Sequence, residues 1–457
     1  MDKLLILGID SVPPEMLYGP MLDKLPTFKE LFTGGAHGRL LTCDPPITIP
    51  AWMVIMTGRN PGELGIYGFR HRRGFTYQDG YIVNSSHVRE PAVWDLLAKK
   101  GLKSCVIGVP PSYPPKPVNG SMVSCLITPG ASRPYTYPAE LKSEIEGLVG
   151  EYIFDVTFRV EDRHALKKQL FEMTEKRFKV AEYLAKKQDW NLFIMHEIGF
   201  DRLHHAFWKF FDTSHPRYAK GNEFEGIAEE YYRLFDDRLA SLIETVGKDV
   251  PVLILSDHGS KAMKGAFCIN QWLEKEGYLA LERPPTAVTE LDKAGVDWGK
   301  TRAWGWGGYY ARIFLNIRGR EPQGIVDPLR VEQLKAELKT KLSAVRDPEG
   351  RPMNNSIFDP STKYGTANGD KPDLMVYFGD LDWRSAGTVG HPSLYLSEND
   401  TGPDDSVHSM QGVFIYHDGK IVKDLGLLGA EDVAPTILSL FGVEPPSYMR
   451  GSRVKLQ

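Results

Sequence analysis

The 457 residues carry 55 Lys and Arg against 59 Asp and Glu, a formal net charge of -4, and 42% of them are hydrophobic. This composition is that of a soluble globular protein with enough apolar mass for one large domain or two to three ordinary ones. It excludes the basic excess of a nucleic-acid-polymer binder, and no apolar run approaches the roughly 20 residues of a membrane span.

In chain order, the first apolar run, Leu4–Ile9, predicts a buried strand that ends at Asp10. It lacks the small-residue cleavage site of a signal peptide. The segment PPITIPAWMVIMTG follows, with a helix expected over Ala51–Met56 after Pro50 in a first-turn position. Gly68–Asn84 reads as an ordered loop that carries Arg70, His71, Arg72 and Arg73. Pro91–Lys100 predicts a helix closed by Gly101, and Ser104–Val109 a second strand. Residues 111–160 are rich in Pro, Gly and aromatics and are expected to be an insertion. A long amphipathic helix over Asp162–Lys187 leads into a strand at Asn191–Met195, and another over Glu223–Val246 leads into a strand at Val252–Leu255. Residues 260–370 form a second expected insertion. Leu374–Phe378 and Val413–Tyr416 read as further strands, and Glu431–Phe441 as a final helix closed by Gly442.

Strands that alternate with helices predict an α/β fold: a mostly parallel central sheet flanked by helices. We expect a single domain over residues 1–457, with 111–160 and 260–370 as cap regions. Cys43, Cys105, Cys125 and Cys268 form no CxxC pair, so a reduced, cytoplasmic setting is expected rather than a disulfide framework.

The acidic residues fall where chemistry is expected. Asp10 ends the first strand, Asp257 ends VLILSD, and Asp201 follows NLFIMHEIGF. Open parallel sheets bind ligands at the carboxyl ends of their strands. Three carboxylates gathered there repel one another unless cations pair with them. Asp201 and His205 share one helix face at a spacing of four, with His204 turned about 100° away. His258 directly follows Asp257. Mixed Asp and His donors favour Zn or Mn over Ca or Mg. His196-Glu197 opens like an HExxH protease motif, but Phe200 stands where the second His belongs, so His196 is expected to be structural. Thr48 stands at a helix start, where free N–H groups hold phosphate. Its hydroxyl becomes a competent nucleophile when a divalent cation is beside it.

LLILGID, ITIPAWMVIMTGRNPGELGIYG, GFDRLHHAFW, LILSDHG and VHSMQGVFI occur in this order between residue 4 and about 416. Together they resemble the alkaline phosphatase superfamily, in particular its type I phosphodiesterase/nucleotide pyrophosphatase branch. The prokaryotic phosphohydrolase/phosphomutase relatives are the most similar. The resemblance implies two divalent metal ions, Zn or Mn, about 4 Å apart. One would be held by Asp10, Thr48, Asp257 and His258, and the other by Asp201, His205 and His408. His408 rests on the resemblance alone; spacing does not choose it over His391. Thr48 would attack phosphorus and pass through a phosphothreonine intermediate. The nucleotide pyrophosphatases carry a phosphate-binding asparagine 21 residues after the nucleophile, and Phe69 stands there. Neighbouring Arg70 is the candidate substrate contact in its place, set against a plain exposed loop arginine.

The expected function is thus hydrolysis of a small-molecule phosphate ester, diester or monoester. A phosphomutase of the cofactor-independent phosphoglycerate mutase type would need a serine nucleophile followed by a large inserted domain. A sulfatase would need a C/S-x-P-x-R pattern, which TIPAW lacks. A non-catalytic metal-binding relative would have lost a ligand or the nucleophile. The aromatic clusters at 206–211 and 303–310 read as pocket walls, core or dimer contacts, so a homo-oligomer stays open. Lys261 and Lys264 read as surface lysines.

Overall fold

The structure is a computed structural model that describes residues 1–77 and 79–456. A nine-stranded sheet forms its centre. In chain order its strands are β1 (Leu4–Ile9), β2 (Ala36–Leu41), β3 (Ser104–Ile107), β4 (Gly120–Val123), β5 (Thr136–Tyr137), β6 (Leu192–Glu197), β7 (Val252–Leu255), β8 (Gln411–His417) and β9 (Lys423–Gly429). Across the sheet they run β9-β2-β8-β7-β1-β6-β3-β4-β5. From β7 to β4 every pair is parallel. β8 is antiparallel to both β7 and β2. Residues 120–123 and 136–137, inside the expected first insertion, thus extend one edge of this sheet.

β1 is buried on both faces, as the continuous run LLILGI demands. Leu5, Leu7 and Ile9 face a core shared with α2 (Arg163–Lys187), α3 (Gly199–Phe211) and α4 (Ile227–Val246). Leu4 and Ile6 face the other core, built with α1 (Thr48–Thr57) and α5 (Val433–Leu440). α1 starts at Thr48, three residues before the expected start. Pro50 therefore lies in its first turn, where a missing N–H breaks no helical bond.

Leu374–Tyr377 does not join the central sheet. It is the third strand of a four-stranded antiparallel sheet with 303–306, 311–315 and 356–358, over a separate apolar core. An apolar run buried on both faces looks the same whichever way its neighbours run, so the sequence could not assign its partners. The aromatics of 206–211 divide between core and margin: Phe207 and Trp208 are buried, while Phe210 and Phe211 are half-exposed against the same core. The four cysteines are free. Among the described residues no helix is long and apolar enough to cross a membrane.

Candidate active site

Three adjacent parallel strands deliver the three aspartates to one edge. Asp10 follows β1, Asp257 lies two residues past the end of β7, and Asp201 sits in the first turn of α3, just after β6. His258 follows Asp257, and its chain continues into the strand Gly259–Ala262. That strand pairs antiparallel with Ser406–Ser409, which sets Ser260 opposite His408. The pairing brings the His408 ring to 3.9 Å from that of His258, nearly parallel at 19°. Two clusters result: Asp10, Asp257 and His258, and Asp201, His205 and His408, every member buried. His391 is elsewhere, bonded to Thr388 Oγ1 at 2.7 Å.

The carboxylates are built alike. Each has one oxygen held from behind, and its other oxygen faces the cluster. Asp10 Oδ2 accepts from Trp52 Nε1 and His196 Nε2, both at 2.9 Å, while Oδ1 lies 3.5 Å from Thr48 Oγ1 and 3.6 Å from His258 Nε2. Asp201 Oδ2 accepts from Arg202 at 2.6 Å, and Asp257 Oδ1 from the Ser11 N–H at 3.3 Å. Among the described residues Asp201 Oδ1, Asp257 Oδ2 and His258 Nε2 are buried without a hydrogen bond; their polar neighbours are cluster members, His205 Nε2 at 3.3 Å from Asp201 Oδ1 and His258 Nε2 at 3.2 Å from Asp257 Oδ2. The imidazoles follow the same plan. His205 Nδ1 donates to Asp404 Oδ1 at 2.8 Å, His408 Nδ1 to the Pro46 carbonyl at 2.5 Å, and His258 Nδ1 to the Gly259 carbonyl at 3.1 Å. Every Nε2 is left to face inward.

Buried polar atoms without partners are costly, and carboxylate oxygens with imidazole Nε2 atoms are the donors that Zn or Mn takes. Imidazoles oriented from behind by carbonyl or carboxylate groups complete the pattern of a metal site. The residues present therefore fit two cations. Titration agrees. Burial raises Asp10 to about 7 against the pull of His258, and burial with Asp10 beside it pushes Asp257 well above the carboxylate range. Burial acts on Asp201 too, but His205 and Arg202 outweigh it and hold that carboxyl well below its usual value. His205 is held well above its ordinary value despite burial, by Tyr309, Asp404 and Asp201. Burial, with His408 beside it, lowers His258 to about 3. Asp10, Asp257 and His205 thus keep protons that a bound cation displaces, while Asp201 and His258 are already free to ligate.

Thr48 is the first residue of α1 and 2% exposed, with its hydroxyl turned toward Asp10. Ile47, just before it, has no side-chain cap, so the helix's first N–H groups remain available to an anion. The other expected residues divide. His196 supports Asp10, as its structural reading anticipated. His204 turns away to the Ser11 carbonyl and the Tyr232 hydroxyl. Arg70 is exposed on the short strand 70–72; its carbonyl accepts from Arg312, and among the described residues its guanidinium makes no hydrogen bond or ion pair with the clusters. Phe69 is half-buried and packs with Ile47, Tyr309, Tyr310 and Met410. Lys261 and Lys264 both pair with Asp382.

Sequence reasoning missed Trp52 and Asp404, and it reached Tyr309 only as one member of the aromatic cluster 303–310. Trp52 carries a signal in hindsight: it lies four residues after Thr48, on the same face of α1. A Cβ on Gly8 would meet its ring at 2.4 Å, so only glycine lets the indole cross β1 to reach Asp10.

The chain's similarity to known proteins accords with this geometry. A search of curated proteins found no match. The fold is similar to that of murine ectonucleotide pyrophosphatase/phosphodiesterase 5, solved as an inactive threonine-to-alanine form in complex with AMP. That likeness has a TM-score of 0.60 and 13% identity over 99% of this chain and 98% of the other. The human counterpart gives a TM-score of 0.57 and 14% identity over 98% and 97%. The family model for type I phosphodiesterase / nucleotide pyrophosphatase matches residues 4–404. With that match across all but the last part of the chain, the protein belongs to the type I phosphodiesterase/nucleotide pyrophosphatase family of phosphoric ester hydrolases, within the alkaline phosphatase superfamily.

Proposed function

We propose that this chain hydrolyses phosphate esters with Thr48 as nucleophile, Asp10, Thr48, Asp257 and His258 holding one divalent cation, and Asp201, His205 and His408 a second. The observation that carries the reading is the gathering of buried metal-donor atoms into two clusters, one of them containing Asp10, whose Oδ1 faces the Thr48 hydroxyl. Bound there, Zn or Mn would supply positive charge against the phosphoryl oxygens and lower the pKa of the Thr48 hydroxyl and of the attacking water.

The chain's own residues do the rest. The start of α1 draws the phosphate toward Thr48 through free N–H groups and the positive end of the helix dipole. Asp10, fixed by Trp52 and His196, holds the Thr48 hydroxyl in place. Thr48 Oγ1 gives up its proton and bonds to phosphorus as the ester oxygen leaves and takes a proton from solvent, which gives phosphothreonine. Water then attacks phosphorus and returns the Thr48 hydroxyl. The threonine-to-alanine form of the murine neighbour, described as inactive, supports a threonine in this role. AMP is the ligand in that structure. Phe69, at the position where the resemblance puts a phosphate-binding asparagine, offers no donor to a phosphate oxygen, which counts against the nucleotide preference of those relatives in this chain.

Protein loaded with Zn or Mn should hydrolyse p-nitrophenyl esters. Rates on a phosphomonoester, a diester and a phosphonate monoester would rank the substrate classes. Thr48→Ala should bind metal and lose turnover. An Ala variant as active as the parent would remove Thr48 from the reaction.

A further inference from the structure

We infer that Tyr309 is a phosphoryl-binding residue of this site, its hydroxyl donating a hydrogen bond to a nonbridging oxygen of the bound phosphate. The inference rests on the phosphoryl-transfer reading of the site and adds to it a contact from outside the central sheet.

Tyr309 lies in the turn between strands 303–306 and 311–315, far in the chain from every other residue of the two clusters. The turn is anchored by two hydrogen bonds between Gly308 and Ser385, at 2.8 and 2.9 Å. It lies so close that a Cβ on Gly307 would meet the Ser385 carbonyl at 2.4 Å. The Tyr309 ring stacks on His408 at 4.0 Å and 24°, and the Arg384 guanidinium sits 4.2 Å from its centroid. Arg384 in turn binds Asp404 at 2.7 Å, and Asp404 holds His205. These contacts pack the phenol against His408 and Arg384. The phenol hydroxyl lies 3.1 Å from His205 Nε2.

That partner is the decisive point. His205 Nε2 is the atom that would give its lone pair to a cation, since Nδ1 is already committed to Asp404. Once the lone pair is given, Nε2 no longer serves the Tyr309 hydroxyl, which is left as a donor aimed into the cluster. The acceptor that arrives with substrate is a phosphoryl oxygen. Exposure agrees: the six clustered Asp and His side chains are buried, whereas Tyr309 is only half-buried, at the margin of the clusters. Phe69, Ile47 and Met410 lie beside it in one apolar cluster, so the same ring also borders the leaving group.

The test compares the parent with Tyr309→Phe, which keeps the ring and its stacking on His408. Both are loaded with Zn or Mn and titrated with inorganic phosphate by calorimetry, with metal content and melting temperature measured in parallel. A lost hydrogen bond to a charged group should weaken phosphate binding about ten- to a hundredfold, with metal content and melting unchanged. In turnover the loss should appear in kcat/KM for every ester tested. Equal phosphate affinity in the two proteins overturns the inference and leaves the wider reading intact. A lost cation in the Phe variant also overturns it, by making Tyr309 a metal ligand. A parent that binds metal but no phosphate would overturn the reading of the site itself, and this contact with it.

Discussion

The Nε2 atoms of His205 and His408 face each other 3.1 Å apart, though 203 residues separate them in the chain. Each ring is aimed by what holds its Nδ1: the Asp404 carboxylate for one, the Pro46 carbonyl for the other. Asp404 is buried and held by Arg159 and Arg384, with charge-assisted bonds of 2.7 to 3.2 Å. Asp404→Asn removes the charge both guanidiniums need and loosens the bond that sets the His205 tautomer. Affinity for the cation at His205 should fall about 10- to 100-fold, read by competition with a metal chelator, while the cation at Asp10 keeps its affinity. Unchanged affinity at both would show that Asp404 serves the fold alone.

Asp10 is fixed from across the sheet. The Trp52 indole passes Gly8 with no room for a methyl group and donates to Asp10 Oδ2. Gly8→Ala should force the ring to move and destabilise the protein by about 1–3 kcal/mol. The shift should appear in the near-UV circular dichroism as well as in the denaturant midpoint. Trp52→Phe keeps most of the packing and removes the donor. It should weaken cation binding at Asp10 more than it lowers the midpoint. A Gly8→Ala protein with the parent's midpoint and spectrum would rule out the clash.

The strand-end aspartates and His258 were legible because a strand followed by a carboxylate is a local pattern. Asp201 and His205 were legible because helical spacing puts them on one face. His408 was not legible from spacing. It reaches His258 through the pairing of 259–262 with 406–409, a contact between segments some 150 residues apart that no local pattern encodes. Asp404 is invisible for the same reason, and the aromatic run 303–310 was legible without showing that Tyr309 meets His205, a neighbour distant in sequence. The run 374–377 shows the limit for the fold itself: its burial was legible, its sheet was not.

Removal of metal should cost stability as well as activity. Asp10, Asp201 and Asp257 share one buried edge with three imidazoles, and burial without a cation leaves unpartnered atoms there. A cation at 100 times its Kd stabilises the folded state by about 2.7 kcal/mol per site. Treatment with a chelator should therefore lower the melting temperature, and Zn or Mn should restore it. The restoration should be smaller in Asp201→Ala, which lacks the one carboxylate of the second donor set. A melting temperature indifferent to chelator and metal would mean that the clusters hold no cation.

His71 sets a separate limit at acid pH. Its ring is 2% exposed, and burial, with Arg312 and His87 nearby, lowers it to about 3. Its Nε2 accepts the Tyr67 N–H at 3.0 Å, a bond that only the neutral ring can make. The unfolded chain protonates this histidine near pH 6.5. Between that pH and about 3 the unfolded state binds more protons, so stability falls as the pH falls. One such group contributes up to about 1.4 kcal/mol per pH unit across the window. The loss should be felt where the body meets the 303–315 hairpin, because Tyr310 bonds the Tyr67 carbonyl and Arg312 the Arg70 carbonyl. His71→Gln offers an acceptor that does not titrate. Its urea midpoint should fall less steeply than the parent's between pH 6.5 and 4, and parallel slopes would assign the acid sensitivity to other groups.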